Sequence, residues 1–318
     1  MRPLRAVALA LVLLSLSARP SAGDNYALVI TGASGGEPYA AKYAGWRQSF
    51  VSTLHTKFGY PDDHVIVMAE GSGAGIRAAT RDEVRRTLLD LRARLGKDDQ
   101  LVVLLIGHGT AAEDDDAKFN LVGPDLRASE WADLLKPLPS RVVFVDTTAV
   151  SFPFLKRLTG PGRVVVTATD SSAQEFETGF GEFFVRAFED PSADADKNGR
   201  VSLFEAFMYA SAATRAWYEQ RGQLPTERPL LDDDGDGVGH EAWNPGSDGA
   251  LARATFLQPP PIPANDVAAA SARRQRELES QIEDLKRRRA AMPAAAYDAE
   301  LERLLLELAR MSARERQP

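Results

Sequence analysis

The chain has 318 residues and contains no cysteine. It can therefore form no disulfide, and a thiol nucleophile is excluded from any chemistry that it performs. Modification of an N-terminal cysteine by lipid is excluded for the same reason. Without disulfides, the stability of an exported chain depends on its core and, where ligands exist, on bound metal.

The sequence also lacks an excess of positive charge. Its formal net charge is -7, so we expect no general binding to nucleic acid, which depends on neutralising phosphates. Acidic residues concentrate at 189–196 and 232–236, whereas 273–289 is rich in Arg and Lys. This unevenness predicts separate modules along the chain.

Long apolar runs are absent except for one near the N-terminus. The run 6–16 follows Arg2 and Arg5 and precedes the small residues Ala18 and Ala22. This order is typical of a cleaved signal peptide, which we predict over residues 1–22. An uncleaved anchor is the alternative, although a membrane span needs roughly 20 apolar residues. We expect an exported protein, periplasmic or extracellular, with no transmembrane helix after cleavage.

Between residues 24 and 190, short apolar runs alternate with amphipathic stretches, which predicts an α/β domain. Continuous Val, Ile and Leu runs separated by helices are typical of a mostly parallel sheet covered on both faces. We therefore expect a three-layer α/β/α architecture. The predicted strands are 26–31, 64–68, 101–106, 141–145 and 163–167, and the predicted helices are 42–58, 80–95, 127–138 and 180–188.

Polar residues follow two of the predicted strands, where sites form in parallel sheets. His108 stands between two glycines after the third strand, and Asp146 and Thr148 follow the fourth. In a catalytic interpretation His108 is a general base, and a nearby backbone N–H, such as that of Gly109, stabilises an oxyanion. A single Gly-His-Gly is more often structural than catalytic.

Four stretches give the region 27–177 a resemblance to a known family. In chain order they are 27–35, 59–68, 101–109 and 142–148, and the stretch 160–169 is like one often present in the family's bacterial members. Together they resemble the legumain-like branch of the caspase-like cysteine peptidases, in which the third stretch ends in the catalytic His-Gly, here His108 and Gly109. The resemblance implies a caspase–haemoglobinase-like α/β fold with its site at the strand ends.

Three positions depart from that family's pattern. The nucleophilic Cys falls on Thr148, the orienting Asn falls on Ser34, and the basic residue of the substrate pocket falls near Ala40. With these departures, the resemblance implies an inactive pseudopeptidase that acts by binding a peptide or protein.

An active hydrolase is the alternative interpretation of the same site. It would use the hydroxyl of Thr148, Thr147 or Ser151 as nucleophile. A hydroxyl is a far weaker nucleophile than a thiol, so this interpretation requires His108 to lie within hydrogen-bond reach of the chosen hydroxyl.

The segment 194–205 matches the twelve-residue loop of an EF-hand. Oxygen ligands fall at positions one, three, five, nine and twelve, glycine falls at six, and the carbonyl at seven is a further ligand. Predicted helices at 180–188 and 203–218 flank the loop. A solvated acidic turn is the alternative. The sequence predicts calcium binding through Asp194, Asp196, Asn198, Arg200, Ser202 and Glu205.

The segment 232–243 is a partial second copy. Asp232, Asp234 and Asp236 have the required spacing, but Trp243 occupies position twelve, where a closing carboxylate belongs. Glu241 is the nearby residue able to substitute. Both loops lie in a predicted EF-hand-like extension, 191–257, where calcium has either a structural or a regulatory role.

A Pro-rich linker, 258–265, precedes a segment, 266–316, that is predicted to form a helical hairpin. Two apolar seams flank a Met-Pro break: Leu278, Ile282 and Leu285, then Leu301, Leu304, Leu305 and Leu308. Such a hairpin binds a partner, self-associates or packs on its own domain. A calcium-dependent assembly or adaptor protein acting through this hairpin is therefore a third interpretation.

Overall fold

The computed structural model describes residues 23–71, 73–259, 270–271, 273–275, 277–278, 281–282, 285 and 288–315. The predicted signal peptide, 1–22, lies outside the described residues, as do residues 260–265 of the predicted linker. None of the helices within the described ranges combines the length and the apolar character needed to cross a membrane.

The strands form one large sheet and one small one. The bounds are β1 Asn25–Thr31, β2 Val65–Ala69, β3 Ile76–Ala78, β4 Gln100–Ile106, β5 Gly109–Ala112, β6 Asp116–Phe119, β7 Leu126–Arg127, β8 Arg141–Asp146, β9 Arg163–Thr167 and β10 Leu230–Asp232. In the described part of the chain, the large sheet has seven strands in the order β10-β9-β8-β4-β1-β2-β3. All its pairs are parallel except that of β10 with β9. The small sheet, β5-β6-β7, is antiparallel.

The helices follow the strands along the chain. Their bounds are α1 Glu37–Ser52, continued by a π-helical turn at Thr53–Lys57, α2 Arg81–Arg94, α3 Ala128–Leu135, α4 Phe152–Leu158, α5 Phe180–Ala187, α6 Leu203–Glu219 and α7 Ala250–Arg253. The predicted cap of α2 is present, because the side chain of Thr80 accepts a hydrogen bond from the Glu83 amide.

Alternate residues of the central strands face two separate hydrophobic clusters. Leu28 and Ile30 belong to the cluster formed with α2, α3 and α4. Ala27 and Val29 belong to the cluster formed with α1, α5 and α6. Because successive side chains of a strand point to opposite faces, the helices cover both faces of the sheet. The predicted three-layer α/β/α architecture is confirmed.

Residues 191–257 are built into the same body as the α/β domain rather than appended to it. Strand β10 extends the sheet by pairing with β9. Helix α6 packs against α5, with Phe207 and Phe184 in one buried cluster. The predicted extension, 191–257, therefore supplies both an edge strand and part of one helical layer.

The described residues between 270 and 285 are helical, and a last helix spans Ala294–Glu315. Leu278, Ile282 and Leu285 form a buried cluster with Tyr297 and Leu304. The two predicted seams therefore face each other. One member differs, because Leu305 is 47% exposed and points away from this cluster.

Candidate functional site

The loop between α5 and α6 gathers three carboxylates. Asp194, Asp196 and Glu205 each offer an oxygen, and these oxygens lie within 4.8 Å of one another. Gly199, the sixth residue of the loop, has φ +85°, a left-handed conformation that favours glycine. The predicted ligands at positions one, three and twelve thus converge, and the cluster could hold a metal ion.

Backbone amides fix these carboxylates in place. Asp194 accepts hydrogen bonds from the amides of Asn198 at 3.1 Å and Gly199 at 2.9 Å. Glu205 accepts from the Ala195 amide at 3.0 Å through Oε1 and from the Ser202 amide at 2.8 Å through Oε2. Burial raises the pKa of Asp196, and the nearby charge of Glu205 adds to the effect. A cation in the cluster would favour the ionised carboxylates.

The remaining predicted ligands of this loop bond within it or to its neighbours. Asn198 Oδ1 accepts from the Arg200 amide at 2.9 Å, and Asn198 Nδ2 donates to Asp196 Oδ2 at 2.9 Å. Ser202 Oγ donates to Glu205 Oε2 at 2.8 Å. The Arg200 guanidinium stacks 3.9 Å from the ring centroid of Phe256, so only its backbone carbonyl suits the predicted role.

The second acidic loop closes through a residue that the loop spacing did not predict. Asp232 and Asp234 share their cluster with Asp248, again with oxygens within 4.8 Å. Asp236 is not among these three; its carboxylate accepts from the Val238 amide at 2.7 Å. Glu241 does not substitute either, because it pairs with an arginine, Arg228, at 2.7 Å.

Asp248 is buried and held from two sides. Its Oδ1 accepts from the Asp233 amide at 2.8 Å, and its Oδ2 lies 2.6 Å from His240 Nδ1. Burial raises the pKa of Asp248 to about 6, opposed by these hydrogen bonds and assisted by the charges of Asp234 and Asp232. Like the first cluster, this one could hold a metal ion that offsets the repulsion between its carboxylates.

The strand-end residues come together because β1, β4 and β8 are neighbours in the sheet. His108 Nε2 lies 2.9 Å from the Ser34 carbonyl and 3.4 Å from the Tyr43 hydroxyl. A carbonyl only accepts, so Nε2 carries the proton. The Ser34 hydroxyl and amide both donate to Glu70, at 2.6 Å and 3.0 Å. Sequence reasoning missed Glu70, although it directly follows β2 and so lies at a strand end, where sites form in parallel sheets.

Thr148 packs close to Gly109, the residue after His108, and is fully buried. Its hydroxyl donates to the Ala149 carbonyl at 2.9 Å. A Cβ added to Gly109 would lie 2.7 Å from this hydroxyl and 2.1 Å from that carbonyl. Glycine is therefore needed at 109 so that the two strand ends can touch.

The two other candidate hydroxyls are also committed to the core. Thr147 Oγ1 donates to the Leu105 carbonyl at 2.8 Å. Ser151 Oγ accepts from the amides of Ala168 and Thr169, both at 3.1 Å. Neither is exposed by more than 1%. Within the described ranges, no hydrogen bond joins either hydroxyl, or that of Thr148, to His108.

Asp146 is the most perturbed carboxyl of this cluster. It is fully buried, and its Oδ1 accepts from the Thr148 amide at 2.9 Å. Its Oδ2 has no hydrogen-bond partner in the described part of the protein. Burial raises the pKa of Asp146 to about 7, so the carboxyl is readily protonated inside the core.

No known family matches the sequence, and no curated protein matches it. Among solved structures, protein GSU0716 from Geobacter sulfurreducens is similar over 65% of this chain and 92% of its own, at 15% identity and a TM-score of 0.41. Raptor from Chaetomium thermophilum is similar over 54% of this chain and 19% of its own, at 10% identity and a TM-score of 0.34. Likeness at this level says nothing about activity or ligands.

Proposed function

We propose that this chain is an exported calcium-binding protein that uses a caspase-like α/β scaffold without peptidase activity. It acts by binding a peptide or a protein. The observation that carries the proposal is the convergence of Asp194, Asp196 and Glu205 in a loop between two helices.

The chemistry of both clusters favours calcium. Their converging ligands are carboxylates, hard oxygen donors that suit calcium rather than the softer transition metals. The first loop adds the Arg200 carbonyl at the position where EF-hand loops use a backbone ligand. In the second, His240 contacts Asp248 and orients it as an outer-shell partner would.

The surroundings of the strand-end cluster support a protein without hydrolytic activity. Nucleophilic catalysis by a hydroxyl needs an adjacent base to take its proton. The Thr148 hydroxyl donates instead to a carbonyl, and His108 Nε2 donates to Ser34. The site that remains around His108 has an aromatic wall, since Tyr39 and Tyr43 contact its ring edge-on.

A nearby strand edge favours an extended chain as the ligand. Strand β5 begins one residue after His108, and in the described residues it pairs only with β6. It is thus an edge strand of the small sheet, and strand addition to such an edge is a common mode of peptide binding. Self-association through the hairpin is a separate prediction, which sedimentation of a chain ending at residue 265 would test.

Thermal unfolding with and without calcium tests the metal site. Saturating calcium is expected to raise the melting temperature of the wild type by about 5 °C or more. Glu205→Gln should lose much of this gain, because glutamine retains the helix cap but not the charge. Glu219→Gln, at the exposed end of the same helix, is the matched control. An equal calcium effect in Glu205→Gln and wild type contradicts the assignment.

Incubation with a peptide library tests the lack of hydrolysis. The library should remain intact with and without calcium. Cleavage by wild type that disappears in His108→Ala would overturn the non-catalytic assignment while leaving the calcium sites untouched, so the two parts of the proposal fail independently.

A further inference from the structure

The helical hairpin has a buried side and an open side. Its hydrophobic cluster consists of residues from its own two helical segments, and no described residue of the α/β body belongs to it. On the last helix, Ala294–Glu315, the side chains in or against this cluster recur at spacings of four and three: Tyr297, Leu301, Leu304, Leu308 and Met311. This spacing places them along one side of the helix, so the opposite side faces away from the cluster.

Leu306 lies at the centre of that opposite side. With 3.6 residues per turn, it points away from the middle of the buried seam, and it is 47% exposed. Its neighbours along the same side are small or charged, and all are exposed: Ala295, Ala299, Glu302, Ala309 and Arg310. We call these residues and Leu306 the outer face. The distance between packed helices depends on the side chains at their contact, so alanines beside Leu306 allow a second helix to come close.

Two charged residues flank Leu306 at equal separations. Glu302 precedes it by four positions and Arg310 follows it by four, so each lies about one turn away on the same side of the helix. In the described part of the chain neither of them has an ion-pair or hydrogen-bond partner. Arg303, by contrast, already pairs with Glu300 at 2.7 Å. The outer face therefore carries one uncompensated charge of each sign.

The outer face is complementary to a second copy of itself. A two-fold axis at Leu306 with the two helices antiparallel brings Leu306 onto its equivalent. The same axis brings Glu302 of each copy onto Arg310 of the other, because both residues stand four positions from the axis. A two-fold interface requires a surface that matches itself in this way. A parallel pairing would instead place Glu302 on Glu302 and Arg310 on Arg310.

We propose that two copies of this chain associate through the outer faces of their last helices, antiparallel about a two-fold axis at Leu306. The leucines leave water at the axis, and the two Glu302–Arg310 pairs set the direction. Exposed ion pairs contribute little, so the association is weak and depends on concentration. The proposal gives a face and a geometry to the self-association predicted for the hairpin, and it is independent of the calcium sites and of the site around His108.

Sedimentation velocity tests the association with the chain from residue 23 onwards. Between roughly 5 and 200 μM the wild type should show a monomer–dimer equilibrium. Leu306→Glu should raise its dissociation constant at least about tenfold, because two like charges then meet at the axis. Leu89→Glu, at an exposed leucine of α2, is the matched control and should leave the constant unchanged. A wild-type monomer at every concentration, or an undiminished dimer in Leu306→Glu, would overturn the proposal.

Exchange of the two charges tests the pairing. Glu302→Arg and Arg310→Glu should each weaken the dimer about threefold or more, since like charges then meet twice across the axis. The double variant restores both pairs with their signs exchanged, and it should recover the wild-type dissociation constant. A double variant as weak as the single variants, or weaker, contradicts the antiparallel contact.

A distance between spin labels distinguishes the antiparallel arrangement from a parallel one. The chain has no cysteine, so Ala295→Cys carries a single nitroxide per copy, 11 positions from Leu306. With a rise of 1.5 Å per residue, the two labels should lie roughly 35 Å apart in the antiparallel dimer, whereas a parallel dimer would bring them within about 20 Å. The shorter distance in the wild-type background would overturn the proposed geometry.

Discussion

The hydroxyl of Thr148 forms its hydrogen bond inside the core, within van der Waals reach of Gly109. A cysteine introduced at this position would therefore place its sulfur in the core, away from solvent.

We predict that Thr148→Cys creates neither peptidase activity nor a reactive thiol. Because the chain has no other cysteine, alkylation by iodoacetamide reports this position alone. Thr110→Cys, at an exposed position of β5, is the matched control. Alkylation of Thr148→Cys should be at least about 100-fold slower, since it requires local opening. Similar rates for the two variants contradict the buried placement.

Asp146 predicts a pH dependence of stability. Its pKa in the folded chain is raised from 3.8 to about 7, so folding favours the protonated form. The stabilising contribution is complete below the unfolded pKa and is lost as pH rises through about 7. Asp146→Asn mimics the protonated acid and should lack this loss.

Urea unfolding of both chains in chelator, from pH 4 to pH 8, measures the effect. The stability of wild type relative to Asp146→Asn should fall by a few kcal/mol, because one pKa unit corresponds to about 1.4 kcal/mol. The control is Asp133→Asn, at an exposed site on α3, whose difference from wild type should stay constant. A constant difference for Asp146→Asn as well would show that the pKa of Asp146 is the same in the folded and unfolded chains, which contradicts the raised pKa.

At the scale of elements, the sequence predicted the strands and helices whose own residues show an apolar pattern or a helix cap. The buried strands β1, β4, β8 and β9 read as apolar runs, and α2 has both a cap and an apolar stripe. Sequence reasoning missed β3, β10 and the small sheet. These strands have two to four residues, too few to show periodicity, and pairing with neighbours defines them.

The two acidic loops likewise differ in how far their ligands follow from the local sequence. The spacing 194–205 predicted every carboxylate that converges in the first cluster. The second cluster takes Asp248 from outside the twelve-residue loop, where no spacing rule points. Similarly, residues 146–151 read as a strand-end site, but their burial follows from contacts with Gly109 and with the 168–178 segment, which only the fold brings close.

We predict that Asp248 contributes to metal binding by the second cluster and that Asp236 does not. Asp248→Asn should weaken calcium binding at the second site about tenfold or more, a cost of about 1.4 kcal/mol or more. Asp236→Asn should change it little, because Asp236 is not part of the group of converging carboxylates. Calcium titrations of both variants in a Glu205→Gln background, which weakens the first site, measure this directly. A larger loss of calcium affinity in Asp236→Asn than in Asp248→Asn would instead indicate that the ligands are those of the twelve-residue loop 232–243.

For the molecule as a whole, the two acidic loops lie next to elements of the large sheet and of one helical layer. One lies between α5 and α6, and the other begins at β10, the edge strand of the sheet. Without metal, each gathers three carboxylates whose repulsion opposes folding. With calcium at 100 times its dissociation constant, a single site adds about 2.7 kcal/mol of stability.

The most direct test is a calorimetric titration of calcium into the wild-type chain from residue 23 onwards. Two clusters of converging carboxylates predict saturable binding of two ions per chain. The double variant Glu205→Gln with Asp248→Asn should bind far more weakly. Absence of saturable binding in wild type, or binding by the double variant that matches wild type, would contradict the account.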